Sequence, residues 1–224
     1  FLVGVKELAH RHGALLIFDE IVTGFRWAIA GGQEFFGVTP DLACFGKGMA
    51  NGFPLACLVG PADLMRHAEL VSGTFGGDCV ALAAAKATIE VYMREPVIKH
   101  LWKHGTAFQV GLGLQAELLG LPAKVVGYGV HAALKWEHPQ ANLLMSLFLQ
   151  EAAENGVLLH PAGWNVSYAH GEEEVKESLA GCRKAMVEVR AALDSGEPEK
   201  FLRGKACQES AFSPRRAGGV TDGR

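Results

Sequence analysis

Residues 42–60 read LACFGKGMANGFPLACLVG. The opening LACFG predicts a short buried strand ending at Lys47, and PLACLVG (54–60) predicts another. Between them a single lysine stands between Gly46 and Gly48, a placement that asks for a reason. Working outward, ALLIFDE (14–20) runs apolar for five residues without alternation. That pattern suits a strand covered on both faces, as in a parallel sheet between helix layers, with Asp19 and Glu20 at its carboxyl end. Ahead of it, FLVGVKELAHRHG spaces its apolar residues as a helix does, and Gly13 suits the left-handed turn that closes one. Residues 22–41, rich in Gly and Thr, predict a long loop. PADLMRHAEL (61–70) opens with proline at a first helical turn, and CVALAAAKATIEVYMRE (79–95) is an Ala-rich amphipathic helix fed by the glycine loop VSGTFGGD (71–78).

Beyond Glu95 the texture changes. Residues 95–120 form one long helical stretch, and 124–137 mix Val, Tyr and Trp in strand-like fashion. Residues 142–156 predict a helix closed by Gly156, 157–170 strand material, and 172–193 a final helix with acidic residues in its first turn. The expectation is an α/β base over 1–98, a smaller α+β domain over 99–194 and an irregular tail over 195–224, with no internal repeat.

The 224 residues are 49% hydrophobic, enough for a sizeable core, and 21 basic against 24 acidic residues leave no broad positive field for nucleic acid or an anionic membrane. No apolar run reaches the roughly 18 residues of a membrane span. The five cysteines are odd in number, scattered and without a C-x-x-C pair, which predicts reduced thiols of a cytoplasmic protein, mostly small core residues. None of the nine histidines has convincing metal-ligand spacing; His100 and His104 are expected on one solvated helix face, and Trp102, Trp136 and Trp164 in packing roles. The chain begins at Phe1 with its first methionine at Met49, which predicts a fragment.

Ligands of open α/β sheets collect at the carboxyl ends of strands, where Asp19 and Lys47 are both expected. A lysine withdrawn from water has a lowered pKa, and its neutral amine forms a Schiff base with an aldehyde. A nearby acid can keep a heterocyclic nitrogen protonated. These are two protein parts of a pyridoxal 5′-phosphate site, and SGTFGGD offers the third, a phosphate cradle of backbone N–H groups, a threonine hydroxyl and a helix start. Taken singly, each feature has an ordinary reading: a solvated loop cation, a helix cap or ion-pair partner, a turn. A magnesium-dependent ATPase also competes, through LLIFDE and the GK pair. That class requires G-x-x-x-x-G-K-[ST], whereas Lys47 is followed by Gly48 and the acidic strand precedes the loop.

The series LLIFDEIVTGFR, GVTPDLACFGKGMANGFPLACLVG and SGTFGGDCVALAAAKATI resembles, in order and spacing, the class III pyridoxal-phosphate aminotransferases, most closely the branch around glutamate-1-semialdehyde 2,1-aminomutase. The resemblance runs from Phe1 to about Leu193. It implies a fold type I PLP-dependent transferase with a smaller α+β C-terminal domain, acting on a small-molecule amino or carbonyl substrate as a homodimer with a shared active site. By the same resemblance Asp19 is the acid on the pyridine nitrogen, and Ile21 packs on the ring. Lys47 is the Schiff-base lysine and proton shuttle, and Thr74 with the Gly73 backbone reaches the phosphate of the partner's cofactor.

Two positions depart from many relatives. Val22 stands where ω-amino-acid aminotransferases carry a glutamine, although the aminomutase-like branch is apolar there too. LLHPAGWNVSY lacks the arginine that grips a substrate carboxylate in those aminotransferases. The family's N-terminal substrate segment, Gly/Ser phosphate loop and stacking aromatic would precede Phe1. A second reading therefore makes this chain a catalytically silent folding or dimerisation unit.

Overall fold

The computed structural model describes residues 1–67 and 73–206, and the chain divides into two compact units, Phe1–Lys103 and His104–Arg224. In the first unit α1 (Leu2–Arg11) ends as its sequence predicts, with Gly13 at φ +67°. It precedes β1 (Ile17–Asp19), α2 (Gly32–Phe36), β2 (Leu42–Phe45) and β3 (Cys57–Val59). The sheet order is β1-β2-β3, with β1 and β2 parallel and β3 antiparallel to β2. β1 is shorter than its apolar run, and one face is open: Phe18 is half-buried while Ile17 is 54% exposed. The expected cover on both faces is thus not present here: the face that carries Ile17 has too little packed on it to bury that side chain.

The parallel register is set before the strands begin. Asp41 accepts the Leu16 amide on its side chain at 2.7 Å and gives its own amide to the Leu16 carbonyl at 2.9 Å. The Leu16 amide, and then His10 at 2.9 Å, hold the Asp41 carboxyl below the usual carboxylate range. With this clamp closed, Ile17 pairs with Leu42, Phe18 with Ala43 and Asp19 with Cys44.

The predicted long loop contains one short helix, α2, which the sequence reading missed. Its cause is Glu20, 2% exposed. One carboxylate oxygen accepts the Gln33 amide at 2.7 Å; the other accepts the Gly32 amide at 2.7 Å and the Thr23 hydroxyl. A residue twelve positions away thereby satisfies the first amides of the helix. Gly31, at φ +79°, leaves room for this carboxylate: a Cβ there would collide with Glu20.

Pro61 is the N-cap of α3 (Ala62–Met65), one position ahead of the expected first turn; the end of that predicted segment, 68–70, and the first two residues of the predicted glycine loop, 71–72, lie outside the described residues. α4 (Cys79–Arg94) starts at Asp78, whose carboxylate accepts the Ala81 amide at 2.8 Å. α5 (Val97–Leu118) contains the boundary between the units.

The second unit is built on the hairpin of β4 (Ala123–Tyr128) and β5 (His131–Trp136) with α6 (Ala141–Glu154) and α7 (Glu172–Asp194). Leu112, Leu144, Leu147, Phe148, Met186 and Val189 are fully buried in one core, joined by Trp136 and Trp164 as expected of packing residues. Gly156, at φ +80°, follows α6 as its sequence predicts. Two expectations fail. Residues 157–170 make isolated bridges, Trp164 to Ala132 and His160 to Gly163, and no strand; Pro161 has no amide to donate and Gly163 turns at φ +129°. His104 is buried, not solvated, because it enters the core side of α5. The tail is ordered through a 3-10 turn, Pro198–Phe201, tied to α6 by Gln150, which donates to the Phe201 carbonyl at 3.0 Å and accepts the Arg203 amide at 2.8 Å.

The cysteines are less uniformly internal than expected. Cys182 is buried, Cys44 and Cys57 are half-buried, Cys79 is exposed, and Cys207 lies outside the described residues; the four described are free thiols. Burial pushes the Cys182 thiol up to about 12. At pH 8, native-state alkylation is therefore expected to mark Cys79 first and to modify Cys182 at least about 100-fold more slowly than a free thiol, as read by peptide mapping. Replacing Glu20 by Ala strands three donors at once. It should cost about 3 kcal/mol in urea unfolding, whereas loss of an exposed acid such as Glu7 should cost under about 0.5 kcal/mol.

Candidate active site

Because β1 and β2 are parallel, their carboxyl ends lie on the same side. Asp19 is the last residue of β1 and faces Cys44 across the pair; the Glu20 amide then donates to the Cys44 carbonyl at 2.9 Å. Three residues beyond Cys44 the chain reaches Lys47. The predicted acid and lysine thus belong to one end of two neighbouring strands. Asp19 is exposed, and its carboxylate accepts the Ile21 amide at 3.0 Å, which turns the chain after the strand. Lys47 is also exposed, contrary to the expected withdrawal from water, and its ammonium has no hydrogen-bond or ion-pair partner among the described residues.

The Lys47 backbone is more constrained than its side chain. Lys47 opens a 3-10 turn, Lys47–Met49, at φ +40°, a left-handed conformation that is costly for a residue with a Cβ. The turn is closed by Met49 donating to the Gly46 carbonyl at 3.0 Å and Asn51 donating to the Lys47 carbonyl at 3.1 Å. The flanking glycines show which segments lie beside the turn, and a Cβ at either would meet them at ordinary contact distance. A Cβ on Gly46 would sit 3.6 Å from the Ile21 Cγ2 methyl and 3.5 Å from the Leu55 carbonyl oxygen, so Ile21 abuts the residue just ahead of Lys47. On the other side, a Cβ on Gly48 would sit 3.4 Å from Phe25 Cβ and 3.6 Å from the Gly24 carbonyl oxygen.

Phe25 was not singled out by its sequence. It too is left-handed, at φ +58°, which costs about 1–3 kcal/mol for a non-glycine residue. Its amide donates to the Ile29 carbonyl at 3.1 Å, and its ring meets Phe45 (centroids 6.1 Å, 74°) and Tyr92 (5.5 Å, 68°) edge to face. Such pairs contribute about 1 kcal/mol each, comparable with the strain. Met49, Ala50 and Ala85 pack beside these rings with Leu55 and Cys57.

Gly73 and Thr74 stand in the exposed turn ahead of α4, where the Gly76 amide donates to the Gly73 carbonyl at 2.9 Å. The Thr74 hydroxyl has no partner among the described residues. The helix start itself is partly used, since Asp78 already caps it.

Comparison with known proteins bears on this arrangement. The family model described as aminotransferase class-III matches residues 1–173. A glutamate-1-semialdehyde 2,1-aminomutase of Thermomicrobium roseum is 33% identical, over 84% of this chain and 48% of that protein. A 3-aminobutyryl-CoA aminotransferase of Cloacimonas acidaminovorans is 32% identical, over 86% and 48% respectively. Among solved structures, the PLP internal aldimine form of the FumI protein of Sphingopyxis sp. MTA144 superposes with a TM-score of 0.81 at 28% identity, covering 87% of this chain and 48% of its own. The chain spans about half the length of the relatives it matches. The match over residues 1–173 and this superposition establish the family and the fold: this chain belongs to the class-III aminotransferase family, with the fold of the type I PLP transaminases.

Proposed function

We propose that the protein carrying this chain transfers an amino group between a small-molecule amine and a carbonyl compound, with pyridoxal 5′-phosphate bound at Lys47. The observation that carries the reading is that a carboxylate, Asp19, and an exposed lysine with no partner among the described residues, Lys47, both stand at the carboxyl ends of two adjacent parallel strands. This donor set fits the cofactor: an amine for its aldehyde, an acid for its ring nitrogen and a methyl surface beside the lysine turn. Bound there, the cofactor supplies an electron sink for charge at the substrate's α-carbon.

The chain's own groups divide the rest. Lys47 would hold the cofactor through its amine, and the same amine, when free, would carry the proton to and from the substrate's α-carbon. Asp19 would accept the hydrogen bond of the ring nitrogen and keep its proton in place, while Ile21 would pack against the ring. The Gly73 backbone and Thr74 hydroxyl would bind the phosphate held by a second copy. A homodimer is supported by α4, whose Leu82, Ile89 and Met93 form an exposed stripe with Lys86, beside a cavity of about 540 Å³ lined by Met49, Leu55, Leu82, Ala85 and Ile89. Four free thiols among the described residues support a reducing, cytoplasmic setting. No helix of the described residues is long and apolar enough to cross a membrane. A second reading, that the 224-residue chain alone is silent, is favoured by the exposed Leu8, Leu15 and Ile17 around β1; measurable turnover of an amino donor by this chain would overturn it.

Incubation with pyridoxal 5′-phosphate followed by borohydride and peptide mapping should place a stable adduct on Lys47, and an adduct confined to other lysines would sink the assignment. Lys47→Ala should abolish the adduct. Asp19→Asn should leave it intact yet slow exchange of the substrate's α-hydrogen by about 100-fold; an acid with only a structural role would leave that exchange unchanged per folded molecule. For the dimer, Leu82→Glu with Ile89→Glu should shift sedimentation toward a single copy.

A further inference from the structure

The inward face of α4 carries Ala81, Ala85, Thr88 and Tyr92, spaced four, three and four residues apart and therefore stacked on one stripe. Ala81 and Ala85 are buried, and Ala85 packs with Met49 and Ala50 of the Lys47 turn. The last member of the stripe is the only one with a long polar reach. The Tyr92 hydroxyl donates to the Phe25 carbonyl at 2.6 Å, across 67 residues of sequence, while its ring lies edge to face on the Phe25 ring. Phe25 is the left-handed residue whose Cβ and carbonyl border Gly48.

We infer that Tyr92 is a positioning residue for Lys47: by donating to the carbonyl of left-handed Phe25, it holds the wall against which Gly48 and the Lys47 turn are seated. The physical argument is one of paired strain. Phe25 and Lys47 both occupy a conformation that a free chain seldom visits, and each is adjacent to the same contact. Without a donor on its carbonyl, Phe25 has less to hold it left-handed. When Phe25 relaxes, Gly48 loses the surface that keeps the turn closed. Burial raises the Tyr92 phenol, with nearby Arg26 opposing in part, so the hydroxyl stays protonated and remains a donor at ordinary assay pH. A second donor to the same loop supplies a control: Trp102 Nε1, from α5, donates to the Trp27 carbonyl at 2.8 Å, two residues past Phe25, and its ring stacks on Phe35 (5.2 Å, 11°). Tyr92→Phe keeps the ring and removes only the donor; Trp102→Phe removes the donor together with part of the stacked ring, which makes it the more disruptive of the two. The importance of the turn for chemistry rests on the reading of Lys47 above; the mechanical claim does not.

The test is amide hydrogen exchange on the 224-residue chain, resolved over residues 46–51. Tyr92→Phe is expected to speed exchange there by roughly fivefold, the factor that matches loss of one hydrogen bond, with the first two turns of α4 unchanged. Trp102→Phe is expected to stay within about twofold of the parent over 46–51. Unchanged exchange in Tyr92→Phe, or an equal acceleration in Trp102→Phe, overturns the inference, the latter by showing general loosening of the loop. Borohydride capture of pyridoxal 5′-phosphate gives the second arm. A parent labelled at Lys47, with labelling slowed to a similar degree in Tyr92→Phe only, supports both readings. A parent unlabelled at Lys47 defeats the cofactor reading, while exchange over 46–51 still decides the role of Tyr92.

Discussion

The parallel pairing of β1 with β2 is the constraint on which the first unit depends. Parallel strands share a direction, so their carboxyl ends fall together, and residues distant in sequence become neighbours there. Asp19 meets Cys44, and the chain then runs through Gly46 into Lys47. Antiparallel pairing would send Asp19 to the opposite end of the sheet. A shift of one residue would turn the carboxylate to the other face. The clamp between Asp41 and Leu16 makes neither alternative available, because it joins the two strands at their starts with one side-chain and one backbone hydrogen bond.

From that pairing the chain must turn sharply twice, after Asp19 and after Phe45, and strain gathers where it does. Phe25, Lys47 and Asn51 are the left-handed non-glycine residues among those described, and all three lie in the loops that leave these strands. Opposing forces are local and specific: the buried Glu20 carboxylate organising residues 20–33, the edge-to-face rings about Phe25, and the Met49, Ala50 and Ala85 cluster. The second unit differs in kind. Its core is a continuous apolar cluster in which α6 and α7 pack with the hairpin, and its helices end at conventional signals such as Gly156 and the Glu174 carboxylate that accepts the Gly171 amide at 2.8 Å. One unit gathers backbone strain in its loops and the other gathers apolar burial.

Helix positions were readable because they rest on local terms. Apolar spacing and terminal glycines marked α1, α4, α5, α6 and α7 before any contact was known. The lysine between two glycines and the acid at the end of an apolar run were also legible, as was the family, since three constellations fall in register along one chain. What local pattern cannot carry is an interaction whose two halves lie far apart. Glu20 capping α2 looked like one member of an acidic pair, and residues 157–170 looked like strand because their β-prone side chains hid the absence of a ladder partner. His104 faces the core because of where α5 packs, which its own spacing from His100 does not encode.

By itself, then, the sequence determined the family, the order of its acid, lysine and glycine segments and the positions of the long helices, since these follow from side-chain identity and nearest-neighbour backbone terms. Tertiary structure alone decided that β1 and β2 run parallel in this register. It also decided that Ile21 and Phe25 border the glycines on either side of Lys47, and that Tyr92 reaches Phe25 from α4. Those facts depend on through-space contacts between segments up to 67 residues apart, and the cost of left-handed Phe25 and Lys47 is tolerable only once those contacts have formed.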